Sequence, residues 1–75
     1  MTHEQEQQAQ ANFRRQKAAL TRAKNTKDWR KIKQAAEAGL ASFDALQASD
    51  IPWPDNWRLW ESAKEDADFH IARGI

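Results

Sequence analysis

The ten residues Ile51-Pro52-Trp53-Pro54-Asp55-Asn56-Trp57-Arg58-Leu59-Trp60 constrain the fold of this chain more than any other stretch. Pro52 forces the residue before it out of α geometry, so a helix arriving from the N-terminal side stops here. Pro54 suits the first position of a new helix, where its fixed φ is helical and its missing N–H costs nothing. Asp55 behind it complements the positive end of the helix dipole. Trp53, Trp57 and Trp60 ride on this turn and its exit. Elsewhere the chain is mostly Ala, Gln, Lys and Arg, so this corner is the place with enough side-chain bulk to fix how long helices cross.

Two glycines, two prolines, no tyrosine and no valine leave little that favours strands, and the dominant residues are strong helix formers. The expected fold class is all-α. At 75 residues the chain is one domain, of a size that buries only ~60% of the surface its unfolded form exposes, so large rings must staple a small core. Without cysteine there is neither a disulfide framework nor a thiolate metal site, and His3 and His70 have no ligand spacing. No metal or cofactor is expected. No apolar run approaches the ~18 residues of a membrane span, and Met1 to Ala11 lacks the basic start and apolar centre of a secretion signal. A cytoplasmic setting and no membrane contact are expected.

Residues 1–9 are polar and Gln-rich and read as a frayed N-terminal segment, with residues 10–75 as a single helical domain. A first helix is expected over about 10–24, with Phe13 and Leu20 seven residues apart and Ala9, Gln16 and Ala23 on the same side. That stripe can line one seam of a bundle but falls short of the sustained heptads of a coiled coil. Asn25-Thr26-Lys27-Asp28 has the chemistry of a break followed by an N-cap, opening a second helix over about 27–47. On it Trp29, Ile32, Ala36, Gly39, Leu40, Phe43 and Leu46 form a core-facing stripe. Gly39 lies mid-stripe at a cost of ~1 kcal/mol of helix propensity. Either it is a tolerated glycine with no packing role, or it makes a notch for a ring, and Trp60 is the ring expected there. The third helix should run over about 54–73, forming an antiparallel hairpin with the second. Asn56, Trp60, Ala63, Ala67 and Ile71 share its inner face, and Phe69 points away beside Arg58, Ser62 and Glu65.

The net charge of +1 conceals segregation. Arg14, Arg15, Lys17, Arg22, Lys24, Lys27, Arg30, Lys31 and Lys33 face only Asp28 in their segment, while Glu37, Asp44, Asp50, Asp55, Glu61, Glu65, Asp66 and Asp68 dominate the remainder. One reading has the basic region beside an acidic helix so that the fields cancel as a solvated face. The other leaves a basic patch facing a polyanion, with Arg14, Arg15, Arg22, Lys27, Arg30 and Lys31 gripping phosphates. No recognition-helix signature accompanies them, so such binding would be electrostatic and salt-dependent.

No catalytic constellation is legible. There is no Gly-rich phosphate loop, and no histidine is spaced to activate Ser42, Ser49 or Ser62. The acids near Glu61 to Asp68 read as a surface ion-pair network around Lys64, and His70 as a ring at the core edge. The chain is expected not to be an enzyme. Trp29, Trp57 and Trp60 read as core, whereas Trp53, held between two prolines, either caps the bundle or stands out as a partner anchor. With Phe69, Arg58 and Glu65 it forms the candidate protein-binding set.

The run Trp53-Pro54-Asp55-Asn56-Trp57-Arg58-Leu59-Trp60, continued to Ala67 and preceded by Asp28-Trp29 and an Ala-rich helix, resembles small orphan proteins encoded by actinobacteria and their phages. The resemblance covers the last two thirds of the chain through a W-P-D-x-W-x-x-W pattern. It implies no site residues; it implies a small protein that acts by binding a host protein. The leading expectation is therefore a non-enzymatic protein-interaction module, possible modulator or inhibitor of a host protein machine. The alternatives are an electrostatic nucleic-acid binder and a homodimeric structural protein.

Overall fold

The computed structural model describes residues 3–74, which form three helices and, among the described residues, no strand. They are α1 (His3–Thr26), α2 (Trp29–Gln47) and α3 (Arg58–Ala72). The fold is all-α, as composition requires. Helix α2 is the centre: α1 and α3 each pack along it and touch one another only slightly.

The expected stripe on α2 does the work of the core. Ile32, Ala36, Gly39 and Phe43 are buried, and Trp29, Leu40 and Leu46 are half-buried at its edges. Leu20 from α1 and Trp60, Ala63 and Ala67 from α3 complete the buried cluster. Trp60 and Phe43 are wholly enclosed, their rings edge to face at 4.9 Å. Gly39 is the notch: a Cβ added there would fall on the pyrrole edge of Trp60, 2.5 Å from Nε1 and 3.2 Å from Cγ. Along the α2–α3 seam Trp60 meets Gly39 and Phe43, Lys33 meets Asp68, and Trp29 stacks on His70 at 4.0 Å. Rising numbers on one helix against falling numbers on the other are consistent with the antiparallel hairpin. Between α1 and α2, Phe13 meets Phe43 edge to face at 5.5 Å. A polar chain runs beside it: Gln16 Nε2 donates to Asn12 Oδ1, Asn12 Nδ2 to Ser42 Oγ, and Ser42 Oγ to the Gly39 carbonyl at 2.7 Å.

Both helix breaks use a non-glycine residue in the left-handed region. At the first, Lys27 has φ 58°. Thr26 Oγ1 accepts the Asp28 N–H at 3.2 Å, and Asp28 Oδ1 accepts the Arg30 N–H at 3.0 Å, the expected N-cap. At the second, Asp50 has φ 62°. The Ile51 N–H donates to the Leu46 carbonyl at 3.1 Å and the Asp50 N–H to that of Gln47 at 2.9 Å. These are the paired bonds of a Schellman motif. The motif turns Ile51 inward, where it is only 6% exposed.

Three expectations need correction. Of residues 1–9, read as a frayed segment, 3–9 belong to α1, and 1–2 lie outside the described residues. Counting apolar side chains undervalues this segment: Glu, Gln and Ala are strong helix formers, Glu4 and Glu6 sit in the dipole's positive first turn, and Ala9 is buried. Helix α3 starts at Arg58 rather than Pro54. The Trp57 N–H closes a separate turn on the Pro54 carbonyl at 3.0 Å, and Trp53 packs edge to face on Trp57 at 5.6 Å, so ring packing overrides the proline's preference for a helix start. Finally, among the described residues the ion pairs centre on Lys33, not Lys64: Lys33 Nζ lies 2.7 Å from Asp68 and 3.9 Å from Glu37. The hydrogen bond and charge of Asp68 raise the Lys33 pKa above its ordinary value.

Candidate protein-binding groove

An open concavity lies between the N-terminal half of α1 and the turn that precedes α3. The N-terminal half of α1 forms one wall, and the turn from Ile51 to Asn56 forms the other. Had α3 begun at Pro54, this second wall would be helix; as a kinked turn it stands off α1 and leaves an open groove of about 1410 Å³. Phe13, Ala9, Ile51 and Trp53 give it apolar surface, Pro52 and Pro54 stiffen its loop wall, and Glu6, Gln10, Arg14, Lys17 and Asp55 line its rims. Pockets for small molecules run to about 1,000 Å³ and enclose most of their ligand. This groove is larger and open, with a volume comparable to about three turns of helix taken as a cylinder ~10 Å across.

Trp53 is half-buried, with one part of its ring in the core and another open to the groove. It packs on Phe43 at 5.7 Å and on Trp57 at 5.6 Å, capping the core, and it also lines the groove. Its indole Nε1 is buried without a hydrogen-bond acceptor, as is that of Trp60. Phe69 lies elsewhere. It is 53% exposed on the outer face of α3, with the Arg73 guanidinium 4.5 Å over its ring. Glu65 shares that exposed face, while the Arg58 guanidinium lies 5.3 Å over the Trp57 ring near the start of α3. Trp53 and Phe69 thus belong to separate surfaces.

The candidate cations Arg14, Arg15, Arg22, Lys27, Arg30 and Lys31 are all exposed. Among the described residues none of them has a carboxylate within ion-pair distance, nor has Lys17 or Lys24, so of the nine basic residues from Arg14 to Lys33 only Lys33 is paired. The acidic third helix therefore does not neutralise them by direct pairing.

Ser42 is occupied by the Asn12 and Gly39 bonds, and His70 is stacked on Trp29 with Phe69 edge-on at 5.5 Å. Glu6, Gln10 and Lys17 are groove residues that composition hides, because they sit in stretches that look merely polar or basic. The spacing of His3, Glu6, Gln10, Phe13 and Lys17, alternately three and four apart, is the signal that places them on one helix face. Comparison with known proteins finds no match among protein-family models, curated proteins or solved structures, so the geometry carries the functional reading.

Proposed function

We propose that this chain is a small non-enzymatic protein-interaction module that receives a helical segment of a protein partner in the groove between α1 and the Pro52-Trp53-Pro54 turn. The observation that carries the reading is the groove itself: on an 8.7 kDa chain it is open, of a volume that a helical segment would fill, and lined by aromatic, proline and charged side chains suited to a helix. Trp53 provides the kind of anchored ring that dominates binding energy at interfaces. A cytoplasmic regulator of a host protein machine, as the resemblance to small phage-type proteins implies, is the setting we assign to it.

The test uses substitutions at exposed positions along the groove. Gln10→Arg combined with Asn56→Arg should melt like the parent chain and lose a captured partner, whereas Phe69→Ser should retain it. Capture that survives the groove variant and vanishes with Phe69→Ser would move the binding surface to the outer face of α3, with Glu65, and remove the groove from the proposal.

A second reading is favoured by one specific observation, the eight exposed cations of the 14–33 segment that have no ion-pair partner among the described residues. On this reading the chain holds a polyanion such as a nucleic-acid backbone by charge alone.

A further inference from the structure

We infer that the occupant of the groove is α1 of a second copy of this chain, laid antiparallel across a two-fold axis; the inference rests on the protein-binding reading and names its partner. The groove carries both signs of charge in balance, with Glu6 and Asp55 against Arg14 and Lys17, and none of the four is ion-paired among the described residues. A polyanion or a strongly acidic peptide would find no net attraction there. A second α1 would, because the charges are arranged in sequence to complement themselves. Glu6 and Lys17 stand on one face of α1, three turns and about 16 Å apart.

A two-fold axis crossing α1 between Ala11 and Asn12 sets Glu6 of each copy against Lys17 of the other, twice over. It also sets Gln10 of each against Phe13 of the other. The face that meets itself has the alternating three-and-four spacing of a coiled-coil seam, too short and too polar to hold two isolated helices. Here the seam does not stand alone, because Pro52, Trp53 and Pro54 of each copy cover the flank of the incoming helix. The same geometry brings Arg14 of one copy towards the loop wall that bears Asp55 of the other.

Surface area argues the same way. The chain exposes 5411 Å², whereas a compact monomer of 8.7 kDa is expected to expose about 4,700 Å². The excess of roughly 700 Å² comes with the elongated 45 × 20 × 15 Å shape, and pairing along α1 is the association that would bury such surface.

The experiment is sedimentation velocity or light scattering over a concentration series, on the full chain and on three charge variants. The parent should be a reversible dimer. Glu6→Lys alone and Lys17→Glu alone each create two like-charge contacts per dimer and should weaken association roughly tenfold or more, while Glu6→Lys/Lys17→Glu in one chain should restore it. Both residues are exposed, so melting temperature should move little and serves as the control for folding. A parent that stays monomeric, or a dimer indifferent to the single reversals or not restored by the exchange, overturns the inference. A monomer whose Gln10→Arg/Asn56→Arg variant still loses a heterologous partner would overturn self-pairing and leave the groove reading standing. A monomer that captures nothing would sink both.

Discussion

Two kinds of single residue decide this fold, a glycine that must be small and two left-handed residues that are not glycine. Gly39 admits the pyrrole edge of Trp60 so closely that even one methyl has no room. Helix propensity alone predicts a gain of ~1 kcal/mol for Gly39→Ala. Overpacking a well-filled core costs about 1–3 kcal/mol, and here the obstacle is a wholly buried ring that cannot swing aside. The second effect wins, and urea unfolding should show Gly39→Ala destabilised. In a Trp60→Phe background the pyrrole edge is gone, and the same substitution should cost little or become favourable. Equal costs in the two backgrounds would disprove the notch. Lys27 and Asp50, at φ 58° and 62°, present the converse case. A left-handed backbone costs an ordinary residue about 1–2 kcal/mol, and Asp less because its short side chain tolerates the region. Lys27→Gly should therefore stabilise by about 1 kcal/mol after the entropy of the freer unfolded chain is offset, and Asp50→Gly by less. Melting temperatures would rise in that order; a fall in both would mean the Lys and Asp side chains hold contacts worth more than the strain.

At the scale of elements, what was legible in the sequence followed the strength of the periodic signal. Helix α2, with seven apolar residues on one face and an Asp N-cap, was placed to within two residues at its start, and the seat of Trp60 at Gly39 could be named from spacing and size alone. Helix α1 was harder because its N-terminal third contains little apolar surface; its helicity comes from backbone propensity and from the burial of Ala9, which is too small to register as a core residue by composition. The start of α3 was misplaced for the opposite reason. Pro54 followed by Asp55 is a good local start signal, but the chain folds so that Trp53 and Trp57 meet edge to face and both rest against the core, and a tertiary gain from two large rings outweighs a local preference. That late start is also what opens the groove, so the candidate site was the least legible part. It exists because two adjacent elements depart from their local signals, α1 by beginning early and α3 by beginning late. Phe69, by contrast, is legible as exposed from its angle on α3 alone, and it keeps 53% exposure although the Arg73 guanidinium lies over its ring.

The whole molecule is a rod of 45 × 20 × 15 Å, and its charges are sorted along the long axis. The end built from the α1–α2 turn carries Arg22, Lys24, Lys27, Arg30 and Lys31, and the pairing of His70 with Trp29 brings the last turn of α3, with Arg73 just beyond it, to that same end. The far end carries Glu4, Glu6, Asp44, Asp50 and Asp55. Arg73 closes an otherwise acidic helix and joins the basic end because α3 returns along α2 to Trp29. Five of the eight exposed cations sit at this tip, with Arg14, Arg15 and Lys17 farther along α1, so a nucleic acid held at the tip alone would be touched at few phosphates. With about four contacts to duplex DNA, affinity should fall about a hundredfold between 50 and 200 mM salt, and each removed contact should lower the slope of log affinity against log salt by about one. Arg22→Ser and Lys31→Ser test this at the tip; Arg14→Ser, midway along the rod and on the groove wall, should leave the slope unchanged while affecting self-association. A slope lowered equally by all three would mean that the polyanion lies along α1 rather than at the tip. A chain that ignores duplex DNA at low salt would make the basic tip a solvated face, leaving the groove towards the opposite end as the proposed binding surface.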